Sequence, residues 1–344
     1  MLAPITSAAA MMALAAAPPA PARPAKPPPP CTAPPAISSN FPDPSVLYEP
    51  ASGETFVYGT NTSSASGAVL NVPMSRSHDP KLAAWSAQSD ALPRLPKWAK
   101  PSATWAPAIA HAPDGLYRLY FSASYGFSGR QCIGVATSAS ADGPFNPTDE
   151  VKPLVCTLSE GGAIDPSVFR DDDGAEYLLW KSDANCCDGT PTLYIQKLAA
   201  DGLALAGEDL SNAPWLLPDA KVLIRRDLPW EGRIIEAPTL TRHDGRYYLF
   251  YSGSYFDSNK YAVGYATSSQ LLGPYQKAGT PVLDAASGLQ GPGGQDVFTG
   301  PGGDTWIAFH AWQEKPVRHR ALYFEKLDWT TDGPRIRVAC DAAP

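Results

Sequence analysis

The chain has 344 residues, 44% of them hydrophobic and 10% aromatic, with a formal net charge of -7 at pH 7. That length and apolar content can bury a large core, and 28 glycines and 37 prolines supply many turns. The acidic balance, with no basic run, argues against nucleic acid as a partner and against a polyanion held by charge.

Residues 1–22 form an Ala-rich apolar segment ending in Ala20-Pro21-Ala22, the small-residue pattern of a secretory signal, although no Lys or Arg precedes Arg23. The segment is short for a transmembrane helix, so no membrane association is expected. Residues 23–38 are a Pro/Ala-rich tether expected to be disordered in solution. Residues 39–344 remain for one folded domain.

That domain repeats a single grammar five times: a polar or proline-marked entry, a short apolar piece, a Gly-containing turn and an aromatic strand. The first unit runs from Asp43-Pro44-Ser45 to Thr55-Phe56-Val57-Tyr58, the second from Trp105-Ala106-Pro107 to Leu119-Tyr120-Phe121. The third runs from Asp165-Pro166-Ser167 to Leu178-Leu179-Trp180, and the fourth from Glu236-Ala237-Pro238 to Leu249-Phe250-Tyr251. The fifth runs from Gln295-Asp296-Val297-Phe298 to Trp306-Ile307-Ala308-Phe309-His310. The starts lie roughly 60 to 70 residues apart, too far for a solenoid and suited to propeller blades enlarged by insertions. Further strand signals follow each start, and two copies end in Gly143-Pro144-Phe145 and Gly273-Pro274-Tyr275. The reading is all-β: one five-bladed β-propeller with four strands per blade.

In a propeller the innermost strands converge on one end of the axis, so equivalent residues of different blades face one another. On this reading Asp43, Asp165 and Glu236 are equivalent in blades one, three and four, and Trp105 takes the place in blade two. Glu236 follows Ile234-Ile235 at a strand entry, a setting that disfavours a carboxyl's charged form, as a general acid near neutral pH requires. Taken singly, each Asp-Pro-Ser is an Asx turn and Glu236 a partner for Arg233. Repeated in register around one cavity, three carboxyls and an indole describe a sugar site.

With these motifs in this order, residues 40 to 340 resemble glycoside hydrolase family 43, five-bladed propellers that cut arabinose- or xylose-containing polysaccharides. The resemblance implies Asp43 as general base, Glu236 as general acid and Asp165 as the carboxylate that orients the acid. It makes Arg320 the last-blade arginine that reaches the substrate and Asp165, and it places Trp105, Phe41 and Gln295 among the substrate-binding residues. Many relatives carry a Gly-His-x-Ser-Val histidine in blade five that helps hold a cation. Here the run is Gly293-Gly294-Gln295-Asp296-Val297, which argues against a tightly held central calcium, and no cofactor is required. His310 reads as a packed or hydrogen-bonded strand-end histidine.

The implied partner is a neutral plant polysaccharide or oligosaccharide, cleaved by an extracellular monomer. The first choice is an inverting L-arabinofuranosidase on arabinan or arabinoxylan, with aromatic platforms at Tyr125-Gly126-Phe127 and Tyr255-Phe256-Asp257. Endo-arabinanase and β-xylosidase are alternatives within the family, and a non-catalytic sugar-binding propeller is the alternative of another class. A fructan-active propeller is disfavoured because Phe41-Pro42 stands where that group has Asn before Asp.

Six cysteines support export. The preferred pairs are Cys31–Cys340, tying the chain ends, Cys132–Cys156 near blades two and three, and a vicinal Cys186–Cys187 bridge in the loop after Ser182 at the pocket end of blade three. Free buried thiols are the alternative.

Overall fold

A computed structural model describes residues 34–64, 66–207, 220–315, 317–336 and 338. The signal segment, all but the end of the tether, and both partners of the expected Cys31–Cys340 bridge lie outside the described residues. Among the described residues, twenty strands form five four-stranded antiparallel sheets, each built in chain order from the innermost strand outward. The innermost strands are Ser45–Glu49, Ala99–His111, Ala163–Arg170, Ile235–His243 and Gly293–Thr299. They define a five-bladed propeller. A two-stranded ribbon, Thr62–Ser63 with Val69–Leu70, is added after blade one, and the described residues otherwise form only short 3-10 turns and loops. No described helix is long and apolar enough to cross a membrane.

The second strand of each blade is buried on both faces, and this explains why it reads as a continuous apolar run. Successive side chains of a strand point to opposite faces, so each such strand feeds two interfaces between blades. Leu119 and Phe121 pack with Phe56 and Tyr58 of blade one, whereas Tyr120 between them packs with Trp180 and Tyr194 of blade three. Leu249 and Tyr251 join Leu179 and Ile195, and Phe250 joins Ile307 and Phe309. Fully burying such side chains contributes about 1.5–3 kcal/mol each relative to exposure.

The last interface closes the ring. Phe41, Val46 and Val57 of the first blade pack on Ala308 and Leu322 of the fifth. Ile37 bridges Leu322, and the Ala36 and Phe41 amides donate to the Leu322 and Arg320 carbonyls, both at 2.8 Å. The chain entering blade one is thus fastened to the third strand of blade five, His319–Thr330.

Candidate active site

Four of the five innermost strands carry a register shift at the same place, between Trp105 and Ala108, Ile164 and Ser167, Glu236 and Thr239, and Gly293 and Asp296. At each shift, and at the matching point before Ser45, one residue takes a left-handed conformation: Asp43 (φ 53°), Ala106 (38°), Asp165 (55°), Ala237 (52°) and Gly294 (60°). Bulges of this kind bend a strand and re-aim its side chains, and non-glycine residues hold such backbone angles only where surrounding contacts enforce them. The true equivalence is therefore set by these residues and the proline or Gln295 that follows each. Asp43 and Asp165 occupy the strained position itself. Glu236 and Trp105 stand one residue earlier, so the expected equivalence of all three acids is corrected by one residue. The offset makes the acids approach the cavity differently, two from the bulge and one from the strand before it.

Asp43 sits in a corner that favours its charge. Arg320 Nη1 lies 3.1 and 3.2 Å from its two carboxylate oxygens, and the Thr60 hydroxyl donates to Oδ2 at 2.6 Å. Thr60 is itself held by the Ala106 amide at 2.8 Å. Burial pushes the Asp43 carboxyl up, but the Arg320 guanidinium and the Thr60 hydroxyl outweigh it and hold the group below the usual carboxylate range. The Asp43 amide donates to His310 Nδ1 at 3.1 Å, which requires a neutral acceptor nitrogen. Burial first, then Arg320, pushes His310 down to about 3, so it is neutral and supports Asp43 as an acceptor.

The opposite corner is crowded with carboxyls. Glu236 Oε2 accepts from Lys181 Nζ at 3.1 Å and Oε1 accepts from the Tyr261 hydroxyl at 2.8 Å. Asp165 Oδ2 accepts from the Ala237 amide at 2.9 Å, clamping the backbone next to Glu236, and the Asp165 amide donates to Ser122 at 3.2 Å. Burial and the neighbouring Glu236 charge push Asp165 up to about 7. Burial likewise pushes Asp183 up. Neither Asp43 nor Asp165 caps its own loop as an Asx turn would, and Arg233 pairs with Asp188 at 3.4 Å rather than with Glu236.

These groups line one cavity of about 480 Å3, together with Trp105, Asn185, Tyr255, Phe256 and Arg320. Residues 32–334 match the sequence profile of glycosyl hydrolases family 43. The chain belongs to that family. A β-D-galactofuranosidase of Aspergillus niger is 29% identical over 225 residues, 62% of this chain and 58% of its own length. An extracellular endo-α-(1→5)-L-arabinanase of Bacillus subtilis is 29% identical over 247 residues, 67% of this chain and 68% of its own. Among solved structures, a thermostable family-43 glycoside hydrolase superposes with a TM-score of 0.72 at 23% identity, covering 89% of this chain and 95% of its own, and shares the fold.

Within this family 43 propeller the remaining expectations divide. Trp105, 39% exposed, lines the cavity, as do Tyr255 and Phe256. Phe127 is 88% exposed with its ring 5.4 Å from that of Tyr125, and neither residue lines this cavity. Arg320 reaches the cavity but pairs with Asp43, not Asp165, and its guanidinium lies over the Phe256 ring at 4.8 Å. Phe41 is fully buried in the ring-closing interface, out of reach of a ligand, because its ring fills the space beside Gly59. Gln295 lies in the axial channel below the cavity with its amide committed: Oε1 accepts from Ser252 at 2.7 Å and Nε2 donates to the Ala237 carbonyl at 2.6 Å. It braces the Glu236 segment instead of meeting substrate. The bridges Cys132–Cys156 and Cys186–Cys187 both form.

A histidine at Gly294, the position that the family resemblance singles out, would require the His310 and Asp43 side chains to shift. A Cβ on Gly294 would stand 2.4 Å from His310 Cε1 and 2.8 Å from Asp43 Oδ1. His310 Nε2 is buried without a partner among the described residues, yet a single imidazole nitrogen is a poor match for calcium, which takes six to eight oxygens. No group of three or more His, Cys, Asp or Glu placed to hold a metal occurs among the described residues.

Sequence reasoning missed Lys181, Tyr261 and Thr60. Lys181 left one signal, a lysine ending the apolar run Leu178-Leu179-Trp180 directly before Ser182-Asp183. Thr60 and Tyr261 left none, being ordinary residues just after the strand Glu54–Tyr58 and just before the strand Ala262–Ser268. Asn185, in the loop placed at the pocket end of blade three, lines the cavity with its Oδ1 buried and without a partner among the described residues.

Proposed function

We propose that this chain is a secreted, inverting hydrolase that removes L-arabinofuranosyl units from plant arabinan or arabinoxylan, with Glu236 as general acid and Asp43 as general base. The observation that carries the reading is the meeting of Asp43 and Glu236 at one cavity from opposed electrostatic settings, one favouring a carboxylate and the other a shared proton. Glu236 donates its proton to the glycosidic oxygen as the bond to the anomeric carbon breaks. Asp43, kept ionised by Arg320, takes a proton from the water that attacks the opposite face. The anomeric configuration inverts, which needs about 6.5–9.5 Å between the carboxyls to seat that water. Asp165 orients the acid through the Ala237 amide and keeps a proton in the pair. Trp105 presents an indole face to the C–H side of a sugar, and Asn185 accepts a hydroxyl.

The L-arabinosyl substrate is supported by the arabinanase relative, and export by that relative's extracellular name and by two disulfides among the described residues. The enzyme is proposed to act as a monomer and without a cofactor. The test is a hydrolysis panel of linear and debranched arabinan, arabinoxylan and xylo-oligosaccharides, with the first-formed anomer followed by NMR. Free L-arabinose appearing first as the β-anomer is expected. Shortened oligosaccharides in its place would make the enzyme an endo-arabinanase, and free xylose a β-xylosidase. Sugar binding with no product from any substrate would replace the hydrolase reading with a carbohydrate-binding propeller.

A further inference from the structure

Lys181 is a side chain that the reaction scheme above does not use, and its placement is unusual. It belongs to the second strand of blade three, Glu176–Ser182, where neighbouring positions fill the hydrophobic interfaces, yet its ammonium is brought to the cavity with 1% of the side chain exposed. A buried ammonium is costly unless carboxylates meet it. Nζ lies 3.1 Å from Glu236 Oε2 and 3.9 Å from Asp183 Oδ1, and Asp165 adds a third carboxyl that interacts with it. Burial pulls Lys181 down, but Glu236, Asp165 and Asp183 together push it above its ordinary value, so it stays charged.

One cation among three carboxyls leaves an excess of two negative charges if all three ionise. The other groups facing this cluster are the Tyr261 hydroxyl on Glu236, Arg130 near Asp183, and Asp43 with its Arg320 across the cavity. Among the described residues only Lys181 touches the proposed acid with a positive charge, and Asp183 competes for that same ammonium.

We propose that Lys181 is a positioning residue that holds the Glu236 carboxyl and, in competition with Asp183, sets the upper pH limit of the reaction. Through the charge it places 3.1 Å from Oε2 it favours release of the acid's proton, whereas Asp183 divides its attention and opposes that release. The two residues therefore act with opposite sign, which a mere packing role for Lys181 would not produce. The proposal rests on Glu236 being the acid.

The test compares Lys181→Met, Lys181→Arg and Asp183→Asn with the parent in two measurements: the pH profile of kcat/KM on the best substrate of the panel, and a 13C NMR titration of glutamate-labelled full chain, assigned with Glu236→Gln. Removing the ammonium makes Glu236 harder to ionise. Lys181→Met should lower kcat at least about tenfold with little change in KM, and move the alkaline limb up by about one pH unit or more. Lys181→Arg should keep the limb near the parent's. Asp183→Asn removes a repelling charge and should move the limb down. The Glu236 resonance should follow the same directions. Limbs and resonance that stay put in both variants, or move the same way, would overturn the proposal. If Lys181→Met does not fold, Asp183→Asn decides it, and if no substrate is turned over the titration still does, so failure of the hydrolase reading stays distinguishable.

Discussion

The two sides of the cavity hold the same kind of group in opposite circumstances. Asp43 has a guanidinium on both oxygens, a hydroxyl on one and a neutral histidine behind its amide, so its negative charge is matched. Asp165, Glu236 and Asp183 share one ammonium, so theirs is not. Residue type says nothing about this split: two aspartates, Asp43 and Asp165, fall on opposite sides of their ordinary value. The proposed division of labour between base and acid lies in the neighbours, and those neighbours come from different blades.

The comparison is broken most directly by neutralising its charged side. Asp43→Asn should lower kcat by roughly 10²–10⁴ while substrate binding, measured by calorimetry, persists; residual turnover close to the parent's would remove Asp43 from the base role. On the other side, Glu236→Gln should lose activity on natural leaving groups but retain much of it on aryl arabinosides with good leaving groups, which need little protonation. Equal loss on both substrates would mean that Glu236 is not the acid. Sharper still is Arg320→Met. Without the cation the Asp43 carboxyl becomes harder to ionise, so the acid limb of the kcat/KM profile should move up by about one to three pH units. An unmoved limb would assign the lowering of Asp43 to Thr60 instead.

The smallest effect is on stability. Asp165 is pushed up to about 7 from an ordinary 3.8, so over that interval the folded chain binds a proton that the unfolded chain releases. That contribution is complete below about pH 4 and is lost as pH rises through about 7. Asp165→Asn keeps an acceptor for the Ala237 amide but cannot ionise. Its Tm should match the parent's near pH 4 and exceed it at pH 8, on the order of a few degrees. A lower Tm at pH 8 would mean that the carboxyl is better compensated than its surroundings indicate.

Much of this was legible in the chain itself, for identifiable reasons. The blades were readable because each second strand is buried on two faces and so spells an uninterrupted apolar run, as in Leu178-Leu179-Trp180. The residues around the cavity were readable because Pro44, Pro107, Pro166 and Pro238 each follow the residue that turns left-handed at the cavity. Alignment on the acids rather than on those prolines misplaced Glu236 by one residue, since the bulge is a backbone event that side-chain type does not announce. The family resemblance points to Arg320 but gives it the wrong partner, and it offers Phe41 to substrate although that ring serves the closing interface. Both errors concern how the first and fifth blades meet, a contact between distant parts of the chain that local patterns do not encode. Lys181 was overlooked because a lysine at a strand end is ordinarily a solvated one.

Asp43 and Arg320 stand 277 positions apart, and the strand bearing Arg320 is the one to which residues 36–41 are fastened. For a flexible chain of that span, bringing the ends together costs about 5 kcal/mol in loop entropy. The fifth blade supplies the Arg320 guanidinium, the His310 nitrogen behind the Asp43 amide and the Gln295 amide that braces the Glu236 segment, so both corners of the cavity are complete only in the closed ring.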